Sequence, residues 1–261
     1  MATNKNQHFV PRCYLRPFTL DSANVAINLF NIDRMKFVER APVKHQCSRD
    51  YFYGEDPALE KALQAEEGLY AAAARDILTP DYTLTDTHRA VLRHFWLLQH
   101  MRTEAASQRA VEMTAETGAL IGVKGPEFNL GIRQAVLLAM RVFVDVMRGV
   151  DDLKVCLLRN LTEVPFITSD DPAVLSNWWY LEDARTRTRS FGLNSAGDLL
   201  LLPLSPQVLC LGYDGDVYSI SDAGGWVAVR HSKHVEALNQ SGCLPVLTMP
   251  HPNGMGFSSV A

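Results

Sequence analysis

Two adjacent glutamates, Glu66 and Glu67, are the first residues whose type and placement suggest chemistry. They lie in a stretch with helical spacing of apolar residues, marked by Leu59, Leu63, Tyr70 and Ile77. At about 100° per residue, Glu66 falls near the centre of this apolar stripe and Glu67 falls at its edge. A carboxylate that faces a core must be paired, protonated or bound to something. We therefore expect one of the two glutamates to have a specific partner.

The next helical stretch supplies a matching cation. Arg102 falls about 20°, and Gln99 about 40°, from Phe95 on the face expected to point inward. Burying a guanidinium without a partner is costly, so Glu66 or Glu67 is the natural partner of Arg102. One interpretation is an internal ion pair that joins two helices. The other is a polar site in which Arg102 steers an anionic group such as a phosphate.

Two further segments could contribute polar groups to such a site. Gln7 and His8 precede a proline, and a histidine can act as acid, base or metal ligand, or simply form a loop hydrogen bond. Ser169 and Asp170 follow the apolar segment 164–168, which reads as a strand, and they could organise a turn there. Both segments therefore have a structural interpretation beside the functional one.

Taken together, these residues suggest an enzyme that acts on a phosphate-containing substrate, a metal-assisted nuclease or phosphodiesterase. The hypothesis assigns catalysis to His8, Glu66 or Glu67, and Asp170. Substrate binding is assigned to Gln7, Gln99, Arg102 and Ser169. His8 and Asp170 would hold a divalent ion, Mg²⁺ or Mn²⁺, and nucleic acid or a nucleotide would be the partner. The alternative is a non-catalytic ligand-binding or sensor module whose polar cluster is a structural network.

Composition restricts the functional classes. The chain has 25 basic and 29 acidic residues and a formal net charge of −4, which argues against a protein that coats nucleic acid electrostatically. No apolar run is long enough for a signal peptide or a membrane span, so we expect a cytoplasmic protein without a membrane partner. The five cysteines are scattered without a CxxC pair, which favours reduced thiols over a zinc site.

Local patterns predict an α+β fold, with a helical N-terminal half packed against a mainly antiparallel C-terminal sheet. A hairpin is expected over 25–39, and helices over 56–78, from 85 beyond 109, over 129–147 and over 232–239. Strands are expected over 154–158, 164–168, 199–203, 208–213 and 226–230. The chain is expected to form a single domain, 1–261. A division into two subdomains is the alternative, with 1–150 mainly helical and 151–261 mainly β. The aromatic cluster at 178–180 is expected to join the core, and the alternative is a stacking surface for a base or a sugar.

The sequence also resembles a known family, the bacterial "domain of unknown function 4238" family. The resemblance begins at residues 7–18, which read QHFVPRCYLRPF, and continues in the aromatic segment at 47–53. It includes a glutamate-bearing helix, a QxxRT motif at 99–103, an FxTSDxP motif at 166–172 and a PLSP segment at 203–206. Spacing within the family favours Glu67, whereas helical geometry favours Glu66. The resemblance implies a shared fold and singles out the same polar residues, and it suggests a toxin or phage-defence context as a further hypothesis.

Overall fold

The structure is a computed structural model that describes residues 5–20, 23–123, 125–177, 192–243 and 258–259. The aromatic cluster at 178–180 lies outside the described residues. The chain divides into two units, residues 1–71 with 101–144, and residues 72–100 with 145–261. The predicted subdomains at 1–150 and 151–261 stay a prediction.

The first unit begins with two small antiparallel sheets. Its early elements are β1 (Asn6–His8), α1 (Arg12–Leu15), β2 (Ala26–Asn31), β3 (Lys36–Pro42) and β4 (Ser48–Asp50). β1 pairs with β4, and β2 pairs with β3 in the hairpin that the sequence predicts. The hairpin turns at Met35, which has a positive φ of 47°, while the side chain of Asn31 accepts a hydrogen bond from Arg34 N. The N-terminal half is therefore not simply helical, and that part of the prediction is wrong.

Four helices follow these sheets: α2 (Pro57–Ile77), α3 (Asp86–Arg102), α4 (Glu104–Ile121) and α5 (Ile132–Val146). α2 begins where expected, because Asp56 accepts a hydrogen bond from Ala58 N and Pro57 occupies the first helical position. The structure confirms that α2 ends before Pro80. The first unit includes α2 up to residue 71.

The expected single helix from residue 85 beyond Arg109 is wrong. α3 ends at Arg102, and Thr103 adopts an extended backbone with φ −71° and ψ 163°. The Thr103 hydroxyl accepts a hydrogen bond from Ala106 N at 3.1 Å, so it caps the new helix α4. The break was missed because the residues around Thr103 are good helix formers, and only the capping geometry separates the two helices.

The second unit is built on one mixed sheet. Its strands are β5 (Lys154–Asn160), β6 (Val174–Asn177), β7 (Asp198–Ser205), β8 (Val208–Tyr213), β9 (Trp226–Val229) and β10 (Ser258–Ser259), and α6 (Ser232–Cys243) follows β9. The strand order is β10-β9-β5-β8-β7-β6. β5 runs parallel to β9, and the other pairs are antiparallel. The fold is α+β as predicted, with the sheet mixed rather than uniformly antiparallel.

The segment 164–168 is not a strand, which corrects the sequence prediction. Its backbone groups bond to side chains and loops instead of a sheet partner. Asn239 donates to Pro165 O and accepts from Ile167 N, and Phe166 N donates to Pro206 O. Pro165 lacks an N–H group, which disfavours a central strand at this position.

The core of the second unit is formed mainly by the sheet. The buried cluster contains Cys156, Leu158, Phe166, Leu199, Leu201, Leu209, Leu211, Tyr213, Val227, Val229, Val235 and Leu238. From α3, Trp96 is buried and its indole N–H donates to Leu201 O at 3.1 Å. Among the described residues, no helix combines the length and the apolar character that a membrane crossing requires.

Candidate functional site

One side of α2 forms the first wall of a polar cleft in the first unit. Glu60, Leu63, Gln64 and Glu67 all line this cleft. Their spacing of three, four and seven residues places them on one stripe of the helix. Leu63 is buried, whereas the glutamates are partly exposed. α2 therefore presents two carboxylates and an amide to the same space.

The opposite wall comes from β1 and the turn after β4. Gln7, His8 and Tyr53 line the cleft there. Gln7 is 5% exposed, and both ends of its amide are used. Its Oε1 accepts from Tyr53 N at 2.7 Å, and its Nε2 donates to Gly54 O at 2.9 Å. Gln7 thus fixes the turn that places Tyr53 in the wall, instead of offering its amide to a ligand.

The cleft has a volume of about 80 Å³ and is open to solvent. A cavity needs a volume on the order of 10–15 Å³ to hold one water molecule, so the cleft has room for a small polar group together with water. The second unit has a smaller cavity of about 20 Å³, lined largely by apolar side chains and including Ser169. Size and polarity therefore both favour the first cleft as a candidate site.

His8 is the group in this cleft with the clearest capacity for proton transfer. Its Nε2 is buried and has no hydrogen-bond partner among the described residues. Burial lowers the pKa of His8 below its ordinary value, although a hydrogen bond to the Lys44 carbonyl acts in the opposite direction. The positive charges of Arg12 and Arg102 lower the pKa further. His8 is consequently neutral at pH 7.

Glu67 is held by an arginine behind the cleft wall. Arg102 Nη1 lies 2.9 Å from Glu67 Oε1, and Arg102 Nε donates to Phe9 O at 3.1 Å. The Arg102 side chain is fully buried, whereas that of Glu67 is 25% exposed. Arg102 is the last residue of α3, where the helix dipole also favours a positive charge. The pair joins α2 to the end of α3, and Glu67 is its solvent-facing member.

Cys13 lies next to the same carboxylate-bearing residue. Its Sγ donates a weak hydrogen bond to the Glu67 backbone carbonyl at 3.8 Å. Burial, together with the negative charge of Glu67, raises the pKa of the Cys13 thiol to about 11. The thiol is therefore protonated at neutral pH and is a poor nucleophile.

The structure brings together four of the residues proposed from the sequence: Gln7, His8, Glu67 and Arg102. Glu66 neighbours Glu67 on α2 but is not among the residues that line the cleft. The remaining proposed residues, Gln99, Ser169 and Asp170, belong to the second unit.

Those three residues have distinct surroundings within the second unit. Gln99 is fully buried, and Asp170 is exposed. The Ser169 hydroxyl accepts a hydrogen bond from Asp171 N at 3.2 Å, a turn contact of the kind expected from the sequence.

Three residues that line the cleft were missed from the sequence: Tyr53, Glu60 and Gln64. Glu60 and Gln64 could have been found by extending the helical spacing back from Glu67. Tyr53 could not, because its place depends on hydrogen bonds with a residue 46 positions away. Throughout the part of the chain that the structure describes, no group of three or more His, Cys, Asp or Glu side chains is arranged to hold a metal ion.

Comparison with curated proteins finds no match, and comparison with solved structures finds none. A family match extends over residues 6–243 and so includes both walls of the cleft, the Arg102–Glu67 pair and the C-terminal sheet. The chain belongs to the family described as "Protein of unknown function (DUF4238)".

Proposed function

We propose that the protein is a hydrolase and that the cleft between β1 and α2 is its active site. The observation that carries the proposal is that His8, whose buried Nε2 has no hydrogen-bond partner among the described residues, lines a solvent-open cleft that also contains a carboxylate held in place by Arg102. A neutral imidazole and a fixed carboxylate are groups that activate water and orient a substrate. Each wall supplies one of these groups, His8 from β1 and Glu67 from α2.

In the proposed mechanism, His8 accepts a proton from the attacking water. Its lowered pKa supports this role because the neutral form, which accepts the proton, is then the major form at pH 7. Glu67, whose side chain is 25% exposed, orients the water or a donor group of the substrate. Arg102 acts as a positioning residue, since its guanidinium is fully buried and bonded to Glu67 and to the Phe9 carbonyl.

A narrower form of the proposal is the metal-assisted nuclease or phosphodiesterase suggested by the sequence. Glu60 and Glu67 would repel a phosphate, so this form requires a divalent cation to offset their charge. A catalytic or metal-binding role for Asp170 stays a prediction, because Asp170 is not among the residues that line the cleft. Phosphate esters are accordingly tested with Mg²⁺ and Mn²⁺ present.

The experiment compares turnover of carboxylic ester, amide, phosphomonoester and phosphodiester substrates, with a nucleotide and single-stranded DNA included. Each class is assayed with Mg²⁺, with Mn²⁺ and with a chelator. In His8→Asn we expect a loss of about 10²-fold or more in kcat, the usual contribution of a general base. His231→Asn, at an exposed histidine of the second unit, is the matched control. Unchanged turnover in His8→Asn, with both variants folded, would refute the assignment.

A non-catalytic ligand-binding module is the second candidate, and the complete burial of Arg102 favours it. A buried guanidinium that contacts a carboxylate and a backbone carbonyl of its own chain is also what a purely structural ion pair requires. This candidate predicts a small ligand that raises the melting temperature without being converted. In that case His8→Asn changes the affinity for the ligand, and no product forms with any substrate class.

A further inference from the structure

We infer that the cleft recognises a ligand bearing an organic cation, an ammonium or guanidinium group. The inference rests on the proposed site and names the class of substrate that this site would accept. Two of the seven side chains that line the cleft, Glu60 and Glu67, are carboxylates, and none is a lysine or arginine. His8 is neutral at pH 7, because burial lowers its pKa. The lining is therefore net negative.

The two arginine charges that act on His8, those of Arg12 and Arg102, belong to residues outside the cleft lining. Arg102 offsets Glu67 from the interior, where it is fully buried. Among the described residues, Glu60 has no lysine or arginine partner; its Oε1 accepts only a long hydrogen bond, 3.5 Å, from Gln64 Nε2. Glu60 thus brings an uncompensated negative charge to the cleft, and such a charge attracts a cation.

Hydrogen-bond direction leads to the same class of ligand. Carboxylates can only accept hydrogen bonds, and the Gln64 amide turns its N–H group toward Glu60, which leaves its oxygen as an acceptor. Both polar ends of the Gln7 amide are already bonded to Tyr53 and Gly54. The cleft consequently presents an excess of acceptors, and a complementary ligand must be rich in donors. Ammonium and guanidinium groups supply three and five N–H donors, respectively, and no acceptor.

The size and the apolar part of the lining fit an organic cation with a carbon stem. The volume of about 80 Å³ accommodates a small cationic head group. Leu63 and Tyr53 place carbon atoms in the wall beside the carboxylates. Sites that combine a few polar groups with apolar surface bind amphipathic head groups better than a bare, strongly hydrated metal ion. For a hydrolase, the expected substrate is thus an ester or amide that carries a nearby positive charge.

The test measures binding of agmatine, which has one guanidinium and one ammonium group, by titration calorimetry and by thermal melting. The ligand controls are inorganic phosphate and butylurea, a neutral analogue of the guanidinium end of agmatine. MgCl₂ is titrated separately to test whether a bare metal ion binds the cleft. We expect saturable agmatine binding that weakens at high NaCl, because exposed charge interactions are screened. Glu60→Gln should weaken agmatine binding about fivefold, the effect of losing one partly exposed charge pair.

Glu116→Gln, at an exposed carboxylate of α4, is the matched control and should bind agmatine like the wild type. The inference is overturned if agmatine shows no saturable binding or if butylurea binds equally well. It is also overturned if Mg²⁺ itself binds and displaces agmatine, because the site would then be a metal site. Equal agmatine affinity in the Glu60 and Glu116 variants would overturn it as well. Failure of the hydrolase proposal looks different. In that case agmatine still binds through Glu60, and no substrate of any class is turned over.

Discussion

Replacing Arg102 with methionine tests whether the buried ion pair holds Glu67 at the cleft. The change removes the 2.9 Å contact with Glu67 Oε1 and the hydrogen bond to Phe9 O. Breaking a buried pair by removing one partner costs about 3–5 kcal/mol, whereas an exposed pair is worth about 0.2–1 kcal/mol. The Glu67 side chain is one quarter exposed, so water can solvate its carboxylate once Arg102 is gone, and the cost falls towards the lower end of the range for buried pairs. Loss of the hydrogen bond to Phe9 O adds about 1 kcal/mol.

These contributions place the loss of unfolding free energy for Arg102→Met at about 3 kcal/mol. For a chain of this size, that corresponds to a decrease in melting temperature of about 6–12 °C. Urea and thermal unfolding followed by circular dichroism give both quantities. Glu66→Gln, one residue from Glu67 on α2, is the control and should change stability by no more than about 0.5 kcal/mol.

A double-mutant cycle separates the ion pair from other effects of the substitution. Glu67→Gln should destabilise at least as much as Arg102→Met, because it removes the negative charge that lies 2.9 Å from a fully buried guanidinium. The double variant should then recover about 1–3 kcal/mol relative to the sum of the two single variants. Single variants that each cost less than about 1 kcal/mol, or effects that simply add, would refute the reasoning.

Three further predictions concern the same cleft. The unfolding free energy should fall as the pH drops below about 6.5, because His8 has a higher pKa in the unfolded chain than in the folded one and the unfolded chain therefore binds more protons. His8→Asn should reduce this loss between pH 7 and pH 5. Equal pH dependence in both proteins would contradict it. The Cys13 thiol, with its pKa raised to about 11, should react with iodoacetamide at pH 8 about 100-fold more slowly than a thiol of ordinary pKa; rapid labelling of the Cys13 peptide by mass spectrometry would count against the structure. Gln7→Glu should cost about 1–3 kcal/mol in a urea melt, since a carboxylate cannot donate to Gly54 O, whereas Gln46→Glu, at a side chain that bonds the exposed Pro42 carbonyl, should cost less.

Helical periodicity was sufficient to anticipate the pairing of Arg102 with one of two adjacent glutamates. It favoured Glu66, near the centre of the stripe formed by residues such as Leu63 and Tyr70, over Glu67 at its edge, whereas the structure pairs Arg102 with Glu67. The choice depends on where the end of α3 lies, and the break at Thr103 determines that position. A capping hydroxyl is a local feature, but its effect on the direction of the following helix is not readable from the sequence pattern.

The second wall of the cleft was less predictable for a different reason. His8 was recognised from its type, and Gln7 was expected to bind substrate. The structure instead shows the Gln7 amide bonded to the backbone of Tyr53 and Gly54, 46 and 47 residues away. Contacts between segments so distant in the chain have no periodic signature. The same limit applies to the segment 164–168, whose apolar character suggested a strand but whose backbone is bonded to the side chain of Asn239.

The ion pair gives Glu67 two roles, and this determines which substitutions are informative. Its Oε1 lies 2.9 Å from Arg102 Nη1, and its side chain also lines the cleft in which we propose that a ligand binds. Any change at Glu67 therefore alters stability and binding together, and neither effect can be interpreted alone. Glu60 lines the same cleft without a buried cationic partner among the described residues. Because Glu60 is partly exposed and not paired with a buried cation among those residues, a loss of ligand binding in Glu60→Gln at unchanged stability would report on the proposed recognition itself.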